Sequence, residues 1–347
     1  MKLGVINGDG IGPEIVEATK LVLESTGLDI QWENVIIGND ALKEFGHPLP
    51  QSSVKQLKEL KVAFKGPFIV DKMKGRITCV HDDGKSFTYP SINNAIRREL
   101  ELFACPRPIR GIPGVSGKYA DFDVVVMREI TEDVYAAIEH RIGDVAAECV
   151  KLTTREAACR IAQYSFDYAR KNGHKKVTCA HKANAISITD GFFLECFREV
   201  AAKNTDIASD DMMIDATAFN LVRHPEFFDV ICCSNQYGDI LSDLAAGCVG
   251  SLGLAPGGNI GFKTAVFEAS HGAAPDIAGK GIANPTALIL SGAMMLRHVD
   301  KIREAQIVED TVRDLIASKV ALTPDLGGSD STMAFAEKVA KEVERRV

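Results

Sequence analysis

The densest group of residues able to do chemistry is Asn235-Gln236-Tyr237-Gly238-Asp239-Ile240-Leu241-Ser242-Asp243. Asp239 and Asp243 are spaced so that on a helix they share one face, where two like charges cost roughly a few tenths of a kcal/mol unless a cation neutralises them. Two carboxylates plus waters suit an octahedral Mg²⁺ or Mn²⁺, which takes oxygen ligands and lets a substrate complete its shell. The alternative is one capping Asp and one solvated Asp. A series of arginines offers the opposite charge: Arg97 with Arg98, then Arg107, Arg110 and Arg128. Arg128 follows a strand read over Asp123–Met127, at the strand end where α/β sheets place ligand contacts. In a net-acidic protein, converging guanidinium groups suggest a polyanionic small molecule, because Arg holds carboxylates bidentately. Arg98 and Arg110 fit surface ion pairs equally well and are left out. Tyr135 and Lys182 each sit in a run with little need for a polar group, and both types act as acid/base catalysts when cations, a metal or burial lower their pKa values. Either could equally be structural. Ser91-Ile92-Asn93 adds small hydrogen-bonding groups just before Arg97, although a helix N-cap explains Ser91 as well.

These groups need elements to carry them. Short apolar runs alternate with amphipathic ones along the whole chain. Strands are read at Leu3–Asn7, Asp123–Met127, Lys176–His181, Met212–Ala216 and Asp229–Ser234. A helix begins at Pro13, a good first-turn residue. Thr153-x-x-Glu156 reads as a capping box, opening a helix with Ala157, Ile161, Tyr164 and Tyr168 on one face and a stop near Gly173. Asn284-Pro285 opens a helix through His298, and Thr332–Arg346 closes the chain with another. The alternation implies an α/β class with a largely parallel sheet. Two Gly/Pro-rich stretches, Pro106–Gly117 and Gly250–Gly261, could bracket an inserted domain.

Composition bounds the partners. The chain has 347 residues, 46% hydrophobic and 25% charged, which suggests about two domains at ~150 residues each. Its net charge of −7 argues against nucleic acid or an anionic membrane as the main partner. The nine cysteines lack C-x-x-C spacing and mostly sit in apolar runs such as Val230-Ile231-Cys232-Cys233, so they read as small hydrophobes in a reducing compartment. No apolar stretch approaches the roughly 18 residues needed to span a bilayer, and Met1–Asn7 lacks a signal or transit pattern. A cytoplasmic protein, or a matured organellar one, is expected. Gly8-Asp9-Gly10-Ile11-Gly12-Pro13 tempts towards a dinucleotide fingerprint, but G-x-G-x-x-G would need Gly at 13, where Pro stands. A tight strand-to-helix turn is the simpler reading.

Taken together, the ordered motifs resemble the metal-dependent β-decarboxylating dehydrogenases that act on isocitrate, isopropylmalate and homoisocitrate. Its markers are Gly8 to Glu14, Lys65-Gly66-Pro67, Arg107-Pro108, Arg128-Glu129, Thr131-Glu132-Asp133-x-Tyr135 and His181-Lys182-Ala183-Asn184. They continue with Gly238-Asp239 to Ser242-Asp243, Gly257–Gly261, Glu268 to Gly272, Ala274 to Gly279, Asn284-Pro285-Thr286 and Asp325 to Gly328. The resemblance covers nearly the whole chain. It implies the isocitrate/isopropylmalate dehydrogenase-like fold, two α/β subdomains sharing a large mixed sheet and not a Rossmann fold. The implied domains are 1–105 with 250–347, a large cofactor-binding unit, and 106–249, a small unit with the dimer interface and the metal-binding Asp residues.

Residue by residue, the resemblance implies a substrate clamp of Arg97, Arg107 and Arg128. It implies Mg²⁺ or Mn²⁺ on Asp239 and Asp243, with Asp215 reaching in from a second subunit of a homodimer. Tyr135 and that partner's Lys182 would be the acid/base pair. His271, Gly272, Asp276, Ile277 and Asn284 would hold the adenosine half of the cofactor. Asp276-Ile277 stands where phosphate-binding members carry Lys-Tyr; a carboxylate there would accept ribose hydroxyls and repel a 2′-phosphate, implying NAD rather than NADP. Ser91-x-Asn93-x-x-x-Arg97 looks like the isocitrate version of the discriminating segment, where isopropylmalate enzymes are apolar, and a polar pocket of this kind rejects apolar analogues strongly. The expected reaction is NAD-dependent oxidative decarboxylation of isocitrate, a small tricarboxylate. Homoisocitrate, or another alkylmalate-type acid, is the nearest rival, and a regulatory subunit of a hetero-oligomer is the rival from another class. Three departures stand out: Ile130 in place of Asn, Phe68-Ile69-Val70-Asp71 in place of Thr-Pro, and an insert from Lys72 to Pro90. Gln236 in place of Leu is a smaller one.

Overall fold

The computed structural model describes residues 1–69, 76–81 and 83–347. The chain packs as two compact units: residues 1–102, 111–121 and 249–347 form the first, and 103–110 with 122–248 the second. The Gly/Pro-rich run from Pro106 is therefore split, since residues 111–121 pack with the first unit.

In the first unit, β1 (Lys2–Ile6) is flanked by β2 (Gln31–Asn34) and β3 (Val62–Lys65), both parallel to it. An antiparallel hairpin is formed by β4 (Ile77–Val80) and β5 (Ser86–Tyr89). Helices α1 (Gly12–Glu24), α2 (Asn39–Phe45), α3 (Gln51–Leu60) and α4 (Ile92–Glu99) complete its N-terminal part. The second unit holds β6 (Leu102–Arg110), β7 (Asp123–Glu129), β8 (Glu139–Ile142), β9 (Ala146–Cys149), β10 (Lys176–His181), β11 (Ala208–Met213) and β12 (Val230–Cys233). Its helices are α5 (Arg155–Asn172), α6 (Thr189–Ala201), α7 (Ile214–Arg223) and α8 (Asn235–Val249). The first unit then closes with β13 (Pro256–Gly261), β14 (Ala265–Ala269), α9 (Thr286–His298), α10 (Ile302–Ala317) and α11 (Thr332–Arg346).

Besides a two-stranded hairpin, each unit carries five strands of mixed direction. The first unit has the order β13-β14-β3-β1-β2, antiparallel only between β13 and β14. The second has β11-β10-β12-β7-β6, antiparallel only between β7 and β6. Fully buried strands such as Val230-Ile231-Cys232-Cys233 read as continuous apolar runs because helices cover both faces. Helix α9 is apolar almost all round and correspondingly buried along its length. The nine cysteines carry free thiols. No helix of the described residues is long and apolar enough to cross a membrane.

Two local expectations are corrected. The cap of α5 is Thr154, not Thr153: its Oγ1 accepts the Ala157 N–H at 3.3 Å. The choice is made from a distance, because Glu132 accepts both the Thr154 N–H (2.7 Å) and its hydroxyl (2.5 Å). Only Met212 and Met213 of the strand expected at Met212–Ala216 are extended; the chain enters α7 at Ile214 and puts Asp215 in its first turn. The apolar run Met212-Met213-Ile214 continues across a strand-to-helix junction, which periodicity alone cannot mark.

The turn from Gly8 to Pro13 is a packing device. Gly10 has φ +60° and lies so close to the Ala273 carbonyl that a Cβ would come within 2.0 Å of its oxygen. The Ile11 N–H donates to that carbonyl (2.9 Å), the Asp9 N–H to Pro67 O (2.7 Å) and the Gly12 N–H to Asp9 O (2.9 Å). Buried Asp9 accepts the N–H groups of Asn39 (3.0 Å) and Ile69 (2.9 Å). Within the insert, residues 72–75 and 82 lie outside the described residues. The β4–β5 hairpin is tied to α4 by buried Glu99, which accepts from the Tyr89 hydroxyl (2.9 Å) and meets His81 Nε2 at 2.8 Å.

Candidate active site

In the second unit, β7 delivers Arg128 and the neighbouring β6 delivers Arg107. In the register Arg107↔Val126 and Cys105↔Arg128, the two arginines are diagonal neighbours on one face of the antiparallel pair. Both are buried, and Arg107 Nε donates to Cys105 Sγ at 3.2 Å. Arg128 lies across the start of α8: its Nε and Nη2 donate to Asn235 Oδ1 (2.9 and 2.8 Å), and its Nη1 ion-pairs with Asp239. Gly238 makes this crossing possible, since a Cβ there would lie 2.5 Å from Arg128 Cβ and Cγ. Asn235 in turn donates to the Glu132 carbonyl at 3.1 Å, joining α8 to the segment that carries Tyr135.

Tyr135 sits in a single 3₁₀ turn, Val134–Ala136. Asp133, with φ +71°, caps the turn by accepting the Val134 N–H at 2.8 Å. The Tyr135 hydroxyl donates to Asp239 Oδ2 at 3.0 Å, and its ring lies 5.6 Å from the Arg128 guanidinium. Burial, the Asp239 charge and that hydrogen bond push the phenol above its ordinary pKa, against a smaller opposing pull from Arg128. The sequence argument expected a lowered value; the nearest charge is a carboxylate, so the hydroxyl stays protonated. One helical turn beyond Asp239, Asp243 is also pushed up, first by loss of hydration and then by the like charge of Asp239, with Arg107 and Arg128 opposing.

Lys182 and Asp215 form a separate pair. Lys182 Nζ donates to Asp215 Oδ1 at 2.7 Å, which holds that carboxyl below the usual aspartate range. Among the described residues, no group of three or more His, Cys, Asp or Glu side chains converges as a metal cage. Asp239 and Asp243 nevertheless fit a divalent cation: two oxygen donors share one helical face, burial and then their repulsion raise Asp243, and Mg²⁺ commonly takes only one or two carboxylates with water and substrate.

In the first unit, Arg97 is buried and its Nε donates to Asn259 Oδ1 at 3.0 Å. Asn259 Nδ2 donates to Glu268 Oε1 (2.6 Å), and Glu268 also pairs with buried Lys65. Lys65, Asn259 and Glu268 were missed as a group. Their signal was ionisable or amide residues inside apolar strands, as in Val62-Ala63-Phe64-Lys65 and Val266-Phe267-Glu268-Ala269. Ser91 caps α4, accepting the Asn94 N–H at 3.2 Å. Asn93 Oδ1 is buried with no hydrogen-bond partner among the described residues.

Of the expected cofactor residues, His271 Nδ1 donates to the Gly272 carbonyl at 3.0 Å, a Cβ on Gly272 would meet open space, and Asp276 is exposed. Asn284 differs: it is buried, with Nδ2 bound to Asp325 and Oδ1 accepting the Thr286 N–H that opens α9 (both 3.0 Å). Its amide is occupied in fixing that helix. Ile130 is buried and its N–H donates to Phe103 O at 3.1 Å. Phe68, at the missing Thr-Pro, is buried beneath Lys65, whose Nζ lies 4.6 Å from the ring centroid.

The family model for isocitrate/isopropylmalate dehydrogenase matches residues 2–343. The chain belongs to this family. As a member of the isocitrate/isopropylmalate dehydrogenases it is an oxidoreductase of the decarboxylating dehydrogenase type. It is 41% identical over 346 residues to a probable NAD isocitrate dehydrogenase subunit alpha of Drosophila melanogaster, covering 99% of this chain and 87% of that one. It is 44% identical to a 3-isopropylmalate dehydrogenase of Archaeoglobus fulgidus, covering 98% of each. A homoisocitrate dehydrogenase of Methanocaldococcus jannaschii is 40% identical, covering 100% of this chain and 99% of that one. Among solved structures, isocitrate dehydrogenase from Methylococcus capsulatus superposes with a TM-score of 0.92 at 43% identity, covering 99% of both chains. These similar identities bring the family and its α/β fold to the chain, and leave the choice of hydroxy acid to the residues themselves.

Proposed function

We propose that this dehydrogenase oxidises isocitrate with NAD and a divalent cation, releasing CO₂ and 2-oxoglutarate. The observation that carries the choice of acid is the polar end of α4, with capping Ser91, the side-chain amide of Asn93, and Arg97 one turn on. A third carboxylate would accept from the Ser91 hydroxyl, the Asn93 side-chain N–H groups and the Arg97 guanidinium, whereas an isopropyl group would leave such donors desolvated and unpaired. Exposed Asp276 supports NAD, because its charge would repel a 2′-phosphate.

Arg107 and Arg128 bind and orient substrate carboxylates, with Arg97 as a further clamp. Asp239 and Asp243 would hold a divalent cation, which would supply Lewis acidity at the hydroxy acid, and NAD would supply the hydride acceptor. Lys182 of the partner takes the hydroxyl proton. Tyr135, kept protonated beside Asp239, supplies the proton to C3. The partner is a second copy of the chain, which also brings Asp215 to the metal. Two features support that dimer. Lys182 and Asp215 pair with each other rather than with Tyr135 and Asp239. The β8–β9 arm is exposed throughout, with Ile138, Ile142, Val145 and Val150 at its surface. Cytoplasm or an organelle interior suits nine free thiols.

A regulatory-subunit role is disfavoured by the joint presence of Tyr135, Lys182, Asp215, Asp239 and Asp243. The test is absorbance of reduced cofactor with Mn²⁺ and isocitrate, homoisocitrate or isopropylmalate in parallel, with NAD⁺ or NADP⁺. Preferred turnover of isocitrate with NAD⁺ is expected. Turnover confined to either other acid overturns the substrate, and silence of the dimer with all three overturns the catalytic reading.

A further inference from the structure

Within the second unit one partly buried cation has no role in the reaction as described above. Lys151 Nζ lies 3.3 Å from Asp133 Oδ1 and 3.0 Å from Asp190 Oδ1, between two carboxylates that are 2% and 3% exposed. It also sits 4.1 Å from the Tyr237 ring centroid and 3.5 Å from Ser234 Oγ. Each carboxylate leads to a reacting group. Asp133 caps the Tyr135 turn through the Val134 N–H, and its Oδ2 accepts the Ser234 hydroxyl (2.7 Å) and the Gln236 N–H (3.0 Å) at the start of α8. Asp190 Oδ2 accepts the Lys182 backbone N–H at 2.6 Å and the Tyr237 hydroxyl at 3.0 Å. The backbone reinforces the join, with the Asp133 N–H donating to Leu152 O at 3.0 Å.

We propose that Lys151 is a positioning residue: by bridging Asp133 and Asp190 it fixes the Tyr135 turn and the Lys182 segment relative to one another. This rests on the proposed roles of Tyr135 and Lys182. Since Lys182 of each chain serves the partner's site in that reading, one ammonium group sets the acid of its own site and the base lent to the other. Without it, two buried carboxylates lose their shared counter-charge, and Asp133, whose backbone is strained (φ +71°), loses one of the contacts that hold it.

The experiment compares Lys151→Met, Lys151→Arg and Asp190→Asn in the full-length dimer, first confirming dimer mass and thermal melt. Wild-type turnover of isocitrate is the reference; its absence would overturn the proposed function and not this inference. Lys151→Met is expected to lower kcat about 100-fold with KM for isocitrate near wild type, as misplacement of reacting groups does. Lys151→Arg, which keeps the charge, recovers most of that loss. In a Tyr135→Phe background the same Met substitution costs far less, because one of the groups it positions is already gone. A folded Lys151→Met dimer with wild-type kcat, or losses fully additive with both Tyr135→Phe and Lys182→Met, overturns the proposal. Should Lys151→Met fail to fold, Asp190→Asn carries the test: a kcat loss of about tenfold that vanishes in a Lys182→Met background supports it, and an unchanged kcat overturns it.

Discussion

The Tyr135 hydroxyl donates to Asp239 Oδ2 at 3.0 Å while the other oxygen of that carboxylate pairs with Arg128. One acidic side chain thus helps keep the phenol protonated and anchors Arg128, the arginine proposed to hold substrate. Tyr135→Phe removes the proton source and leaves Arg128 and Asp239 in place. A kcat loss on the order of 10²–10³-fold is expected, with decarboxylation and reprotonation of the oxo acid slowed more than its reduction. Partial-reaction assays separate the two, and an equal loss in both would remove Tyr135 from the role of C3 acid.

Asp243 ties metal binding to stability. Its carboxyl titrates above the ordinary aspartate value of about 3.9. The protonated form is thus the one favoured by folding: that contribution is complete below pH ~4 and disappears as pH rises through the raised folded value. In metal-free protein, Asp243→Asn should therefore gain stability over wild type as pH increases across that window. Calorimetric scans of both proteins read the difference. Adding Mn²⁺ should raise the Tm of the wild type and do little for the variant.

Shared sites predict complementation. Tyr135→Phe and Lys182→Met chains, each strongly impaired alone, should regain about a quarter of wild-type activity after denaturation and refolding together, because half the dimers are mixed and each mixed dimer holds one intact site. Activity no greater than the sum of the parents would place both groups in one chain's site.

Cofactor choice should follow charge at residue 276. Asp276→Lys is expected to lower kcat/KM with NAD⁺ by about tenfold or more and to raise it with NADP⁺. Initial rates with both cofactors decide it, and an unchanged preference would locate discrimination elsewhere in the loop.

Gly238 is under Arg128. Gly238→Ala forces a methyl into a space 2.5 Å from two Arg128 carbons, at a cost of roughly 1–3 kcal/mol if the helix yields. The expected signature is a raised KM for the hydroxy acid together with a lower Tm; a change in neither would show that Arg128 shifts freely.

Much of this architecture was legible because its signals are local. Lys176–His181 and Thr332–Arg346 are bounded where pattern and breakers place them, and α9 opens at Asn284-Pro285. Arg128 at a strand end and the Asp239/Asp243 spacing needed only a strand and a helix. What was hidden depends on contacts between remote residues. Glu132 selects Thr154 over Thr153 as a cap across 22 positions. Lys65 and Glu268 meet only because β3 and β14 are neighbours in the sheet. The commitment of Asn284 to Asp325 was likewise invisible, since an exposed and a buried amide look alike in a sequence.

The glycine-rich turn after β1 has its N–H groups from Asp9, Ile11 and Gly12 already engaged by carbonyls of the same unit. A diphosphate arriving there would meet a surface with its donors withdrawn, however much the letters resemble a phosphate cradle. The turn instead works as a rivet, fastening the backbone near Pro67 and the loop around Ala273 to the same point. The loop around Ala273 is thus held from behind by its backbone, while its neighbours Gly272 and Asp276 stay exposed on the outer side.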